Sequence, residues 1–210
     1  EDDMTVVKIA KTDINGQKEV AGAVIEIFEE DGKTPAQMWD DTNKTFVDAK
    51  WTSGTSAQDI VGLTGGKTYV LRETTAPQGY AVTTDTQFKL NKDGTVDTKS
   101  VQNGTPVGTS GNLKDVLMVE DDMTVVKISK IDATGKQEVA GAKIEIVDSK
   151  GNTAQMWDET QKKFVDAKWT SDTKPQTIVG LTGGETYTLK ETTAPDGYAV
   201  TTDTQFTLEK

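Results

Sequence analysis

Residues 67–88 read KTYVLRETTAPQGYAVTTDTQF, and residues 185–206 read ETYTLKETTAPDGYAVTTDTQF. The start of this stretch alternates as an extended chain does. Tyr69, Leu71 and Glu73 fall on one side, Val70 and Arg72 on the other, which is the period of a half-buried strand. Pro77 and the Gln78-Gly79 pair that follow are turn punctuation. A strand whose apolar face ends in a carboxylate, closed by a turn and written twice, defines how the rest of the chain is read.

Repetition extends in both directions from that stretch. EDDMTVVKI occupies residues 1–9 and again 120–128, EVAGA recurs at 19–23 and 138–142, and Trp39 and Trp51 return as Trp157 and Trp169. One residue is lost between the copies near Thr34-Pro35. Self-similarity on this scale marks tandem modules. Within each copy, short β-branched and aromatic runs alternate with Asn15-Gly16, Asp31-Gly32, Gly65-Gly66 and Asp93-Gly94 turns, and no segment has the period of a long helix. In the first copy strands are expected at residues 4–11, 23–28, 37–39, 46–52, 59–63, 68–73, 86–90, 95–99 and 116–121. Many short strands at this spacing predict an all-β chain of two tandem immunoglobulin-like β-sandwich domains, residues 1–121 and 122–210. The second copy stops at the counterpart of Lys92 and so is expected to lack its final strands.

Composition removes whole classes of function. Apolar residues make up 34% of the 210 residues and aromatics 6%, enough for two thin cores and too little for a membrane span. A net charge of -11 argues against nucleic acid or an anionic membrane as partner. With no histidine and no cysteine there is no Ser-His-Asp triad, thiol nucleophile, Cys/His zinc site or disulfide, so no metal and no cofactor is expected. A hydrolase or metal enzyme on this scaffold is correspondingly disfavoured. No signal peptide, hydrophobic tail or sorting signal is visible, so the sequence reads as a piece of a longer polypeptide.

The chemistry lies in charges that the alternation turns inward. In residues 4–11, Thr5, Val7, Ile9 and Lys11 share a face. In the last strand of the first copy, Leu117, Val119 and Asp121 share one face while Met118 and Glu120 share the other, and the first face keeps Glu120 out of the core. A lysine, a glutamate and an aspartate are thus placed at core-facing positions, where unpaired charges would be costly. Burial favours the neutral form of each group. An uncharged Lys11 amine can then attack the carbonyl of a protonated Asp121 while Glu73 shuttles protons, giving an amide crosslink. Holding the reactants together supplies effective molarities of about 10⁵ to 10⁸ M in favourable cases.

At these residues the chain resembles the Cna B-type, or SpaA-like prealbumin-fold, domains of Gram-positive surface adhesins and pilins. The residues that carry the resemblance are Lys11-Thr12-Asp13, Gly22-Ala23, the box from Tyr69 through Glu73 and Pro77 to Tyr80, and Asp121. In the second copy they are Lys130-Ile131-Asp132, Gly141-Ala142 and the box from Tyr187 through Glu191 and Pro195 to Tyr198. The resemblance implies a prealbumin-like sandwich with a spontaneous isopeptide bond between Lys11 and Asp121, assisted by Glu73. In the second copy Lys130 and Glu191 are present and the acceptor is missing. Asp2 would be the remnant acceptor of a preceding repeat. Asn is the family's commoner acceptor, so Asp121 departs from the usual pattern.

The expected function is a structural stalk repeat of a cell-wall-anchored, extracellular surface adhesin, self-crosslinking but without enzymatic turnover. Its expected partners are neighbouring repeats of the same polypeptide and a host surface ligand, and the chain is expected to be a monomer. The alternative is a carbohydrate- or host-protein-binding module that uses the Trp-bearing hairpins, which a grouped, exposed Trp pair would favour. The plainer reading of Lys11 and Glu73 is a salt-bridged pair, that of Trp39 and Trp51 is core cover, and that of Asp40-Asp41-Thr42-Asn43 is a solvated turn rather than a calcium loop.

Overall fold

The computed structural model describes residues 3–13, 18–102, 108 and 116–209. The Asn15-Gly16 turn and Asp2 lie outside them. All regular structure among the described residues is β. Packing divides the chain into two compact units. Unit 1 comprises Glu1–Pro77 with Val82–Asp122, and unit 2 comprises Gln78–Ala81 with Met123–Lys210.

In unit 1 the strands are β1 (Val6–Asp13), β2 (Val24–Glu29), β3 (Gln37–Asp40), β4 (Thr45–Asp48), β5 (Lys50–Thr52), β6 (Gln58–Val61), β7 (Thr68–Thr75), β8 (Thr86–Leu90), β9 (Val96–Asp97) and β10 (Leu117–Asp121). One sheet has the order β10-β1-β6, the other β5-β2-β7-β8-β9, and β3 pairs with β4 as a separate hairpin. The inward residues of the two sheets form the core. Ile9, Ile25, Ile27, Tyr69, Leu71, Phe88, Leu117 and Val119 are all buried in it. Each such side chain contributes roughly 1.5–3 kcal/mol by leaving water.

Two details depart from the alternation. A single strand over 46–52 is expected, but the chain breaks it at the buried Ala49, which donates its N–H to Ala36 and accepts one from Ile27. The hairpin and the main sheet therefore use opposite sides of the same run. In β10 both faces are covered, because Val116 and Met118 pack with Ala10 in a small second cluster behind the β10-β1 pair. Ser53 closes the start of β2: its buried hydroxyl donates to the Val20 carbonyl and accepts the Ala23 N–H.

Unit 2 contains β11 (Val125–Ile128), β12 (Lys143–Asp148), β13 (Gln155–Asp158), β14 (Lys163–Asp166), β15 (Lys168–Thr170), β16 (Gln176–Val179), β17 (Thr186–Thr193) and β18 (Thr204–Thr207). Its sheets are β15-β12-β17-β18 and β11-β16, with the β13-β14 hairpin apart. Among the described residues no strand covers the second edge of β11. That edge is where β10 lies on β1 in unit 1, and β11 ends at Ile128 whereas β1 continues through Lys11 to Asp13. The core is correspondingly thinner. Leu189, Phe206 and Leu208 are only partly buried, unlike their counterparts Leu71, Phe88 and Leu90.

Candidate functional site

β1 and β10 run parallel, with Lys11 opposite Val119 and Asp13 opposite Asp121. Lys11 and Asp121 therefore stand on the same face, two positions apart, and a lysine side chain is long enough to reach across. Glu73 arrives from the facing sheet on β7, placed by the pairing of β7 with β2 at Ile25. The three side chains meet in the core. Lys11 Nζ lies 2.6 Å from Asp121 Oδ2 and 3.7 Å from Glu73 Oε1, and each of the three side chains is at most 1% exposed. The same Nζ donates to the Val119 carbonyl at 3.4 Å.

Hydrogen bonding fixes one half of Glu73 and leaves the other half free. Oε2 accepts the Thr83 N–H at 2.9 Å, while Oε1, turned toward Lys11, has no hydrogen-bond partner. Asp121 Oδ2 is held by its ion pair with Lys11, and neither Asp121 oxygen has a well-aligned hydrogen bond. The lysine nitrogen thus approaches the Asp121 carboxyl closely without the alignment of a hydrogen bond. Lys11 faces two buried carboxyls as their one cation, paired closely with Asp121 and more loosely with Glu73.

Burial dominates the electrostatics. Loss of water pushes the Glu73 carboxyl up to about 7, against the pull of Lys11 and with help from the neighbouring Asp121. Asp121 is raised for the same reason, again opposed by Lys11. Low-dielectric surroundings penalise the charged forms more than one cation can compensate for two carboxyls. Burial therefore shifts both carboxyls toward their protonated forms.

Unit 2 repeats two thirds of this arrangement. Lys130 Nζ lies 3.4 Å from Glu191 Oε1, and Glu191 Oε2 accepts the Thr201 N–H at 2.7 Å. Glu191 Oε1 is buried without a hydrogen-bond partner. Lys130 is more exposed than Lys11, with a side chain 15% accessible, and a cavity of about 250 Å³ opens beside it, lined by Ile144, Leu189, Glu191 and Thr204 among others. No carboxyl takes the place of Asp121 there among the described residues.

The side chains were legible in the sequence, but the backbone donors at Thr83 and Thr201 were not, because a main-chain N–H leaves no residue signature. The remaining candidates separate. Trp51 packs against the core, whereas Trp39 sits edge-on to Phe46 with ring centres 5.4 Å apart. They do not form the grouped, exposed pair that sugar stacking calls for. Asp40 spends its carboxylate on the Thr42 and Asn43 N–H groups and the Asn43 amide, as a turn residue does. Among the described residues no group of three acidic side chains is placed to hold a metal ion.

Two β-sandwiches, the first capped by the parallel β1-β10 pair, with an inward Lys-Glu pair in each, define the class: tandem prealbumin-type β-domains. The family model for the SpaA prealbumin-like fold domain matches residues 5–105 and 124–210, and the chain belongs to that family, in two copies. The matched segments contain Lys11, Glu73, Lys130 and Glu191, while Asp121 lies between them. Among solved structures, the chain is similar to a streptococcal ancillary pilin at 21% identity, covering 99% of this chain and 59% of the pilin, with a TM-score of 0.43. It is similar to a C-terminal fragment of the pilus adhesin SpaC of Lactobacillus rhamnosus GG at 19% identity, covering 98% and 82%, TM-score 0.43. The TIE protein of Bacillus anthracis matches at 18% identity, covering all of this chain and 33% of that one, TM-score 0.43. The chain thus spans about a third of the TIE protein and about three fifths of the ancillary pilin. No curated protein matches the sequence. No helix among the described residues is long and apolar enough to cross a membrane.

Proposed function

We propose that this chain is a stalk segment of a Gram-positive, cell-wall-anchored surface protein, and that its first repeat, residues 1–121, locks itself with an isopeptide bond between Lys11 and Asp121. The observation that carries this reading is the 2.6 Å approach of Lys11 Nζ to Asp121 beside a raised, half-tethered Glu73. The Lys11 nitrogen adds its lone pair to Asp121 Cγ. A C–N bond forms, the C–O bond to the hydroxyl breaks, and one proton passes from nitrogen to the departing hydroxyl through Glu73 Oε1. Amide and one water are the products, and Glu73 ends as it began. No turnover follows, so the site is self-modifying rather than enzymatic. The second repeat, residues 122–210, holds the nucleophile Lys130 and the shuttle Glu191, with no acceptor beside them among the described residues.

The stalk reading places the chain outside the cell, with neighbouring repeats as its first partners and the isolated chain a monomer in dilute solution. An amide suits that role in a chain without cysteine, since no reductant reverses it. Intact mass one water below the sequence mass, with tryptic mapping joining the Lys11 and Asp121 peptides, is the expected result. An unmodified mass for a chain whose first repeat is folded would remove the bond from this reading.

A further inference from the structure

In each repeat the lysine lies beyond the last rung that its strand shares with one neighbour. The final rung of β1 with β6 is Ile9-Gln58, and that of β11 with β16 is Ile128-Gln176. Lys11 and Lys130 each follow two residues later, where the main-chain polar groups need other partners. One short segment supplies them. The Val20 N–H donates to the Lys11 carbonyl at 2.7 Å, and the Val139 N–H to the Lys130 carbonyl at 2.7 Å. The Lys130 N–H donates to the side chain of Glu138, at 3.0 Å from Oε2. Glu19 takes the same place in unit 1. It bridges Thr12 as Glu138 bridges Ile131, and while burial raises its carboxyl, the hydrogen bond from the Lys11 N–H opposes the rise.

The same segment is tied to the facing sheet. The Ser53 hydroxyl donates to the Val20 carbonyl at 2.8 Å and accepts the Ala23 N–H at the start of β2. Ser171 does the same for Val139 and Ala142. Glu73 on β7 and Glu191 on β17 belong to those sheets, next to β2 and β12. The lysine main chain is thus fastened to the sheet that carries its glutamate. Unit 2 shows the consequence. Among its described residues no strand takes the place of β10, yet Lys130 Nζ lies 3.4 Å from Glu191 Oε1, against 3.7 Å between Lys11 and Glu73. An acceptor strand is not what brings lysine and glutamate together.

We infer that Glu19, and Glu138 in the second repeat, are positioning residues that aim the nucleophilic lysine at its shuttle glutamate before any acceptor strand docks. This role rests on the crosslink reading given above. Neither carboxyl touches the reacting atoms, and each acts through the lysine main chain. A carboxylate suits the task because a charge-assisted hydrogen bond is roughly twice as strong as a neutral one. Misplacing a reacting group by about 1 Å can cost about 10²-fold in rate, so the clamp is read in the rate of bond formation.

The test follows the loss of water with time in the full chain, made by cell-free translation, stopped at intervals in denaturant and weighed intact. Glu19→Gln keeps an oxygen for the Lys11 N–H and should bond at close to the parent rate. Glu19→Ala removes it and should bond about 10- to 100-fold more slowly, with circular dichroism showing that it folds as quickly and as fully as the parent. A second measurement needs no crosslink: hydrogen exchange at the Lys130 amide, followed by NMR, should be slow in the parent and in Glu138→Gln and fast in Glu138→Ala. Equal bonding rates in parent and Glu19→Ala, or an unchanged Lys130 amide in Glu138→Ala, would overturn the inference and leave the crosslink standing. Slow bonding that merely tracks slow folding would make Glu19 a structural support and overturn it too. A parent that never loses water would overturn the crosslink itself, and this role with it.

Discussion

Replacing Glu73 with glutamine separates the crosslink from the packing around it. Glutamine has the size of glutamate and keeps an oxygen to accept the Thr83 N–H, yet it cannot carry a proton from Lys11 to the departing hydroxyl. The variant should therefore show the full sequence mass, one water heavier than the parent. The bond between Lys11 and Asp121 closes a loop of about 110 residues, and if loop entropy acts as it does for disulfides, its loss destabilises repeat 1 by roughly 4 to 5 kcal/mol. For a domain of this size each kcal/mol moves the midpoint by about 3–5 °C, so the melting temperature should fall by about 12–25 °C. Calorimetry is the suitable assay because repeat 2, which does not contain Glu73, serves as an internal reference whose transition stays put. A Glu73→Gln chain that still lacks one water would show that the glutamate is dispensable. A chain that gains the water back but melts as before would show that the bond adds nothing to stability.

Other expectations follow from the same groups. In Lys11→Met, which cannot crosslink, Glu73 and Asp121 remain buried without their cation. Burial raises both carboxyls and Lys11 opposes that shift, so without the cation they stay raised, and the stability that goes with their protonated forms is present at low pH and lost as pH rises through the folded-state value; this variant should melt higher at pH 5 than at pH 8, and equal midpoints would contradict the raised carboxyls. A peptide of residues 113–122 should add to the open edge of β11 and be captured by Lys130, seen as protein plus peptide minus one water and absent in Lys130→Ala; folded repeat 2 with no bound peptide and no adduct would refute it. Under single-molecule tension the chain should release the length of repeat 2 alone, with repeat 1 yielding only in Glu73→Gln; release of both repeats in the parent would contradict a locked first repeat.

Two-residue alternation sufficed to read the sandwich and to turn Lys11 and Glu73 inward, because one face of β1 and of β7 meets the core and the other does not. The expected first strand, 4–11, and the observed Val6–Asp13 differ by two positions, a shift that preserves the parity of every side chain. Asp121 was harder to place for a physical reason: β10 is buried on both faces, Leu117 and Val119 on one and Met118 on the other. Alternation cannot rank two apolar faces. The break at Ala49 was hard to see because Phe46-Val47 and Trp51-Thr52 on either side are both β-prone, and only the facing carbonyl of Ala36 reveals why the strand divides there.

The direction of the β1-β10 pair decides what a Lys11-Asp121 bond would accomplish. Because the strands are parallel, the start of β1 and the end of β10 point to opposite ends of the pair, and tension applied at Val6 and Asp121 shears the ladder from Ile9-Leu117 to Asp13-Asp121 all at once. Each hydrogen bond of that ladder contributes only about 0.5–1.5 kcal/mol net, so shear alone resists modest work. A covalent link changes the route. Tension entering at Val6 would follow β1 as far as Lys11, cross to Asp121 and leave, and the strands from β2 to β9 would carry none of it. The bond would sit at the end of β10 rather than in its middle, so almost nothing of the repeat lies on the loaded side of the link. In unit 2 the described residues at that edge form only the antiparallel β11-β16 pair, so within them Lys130 and Glu191 have no parallel strand through which such a bypass could run.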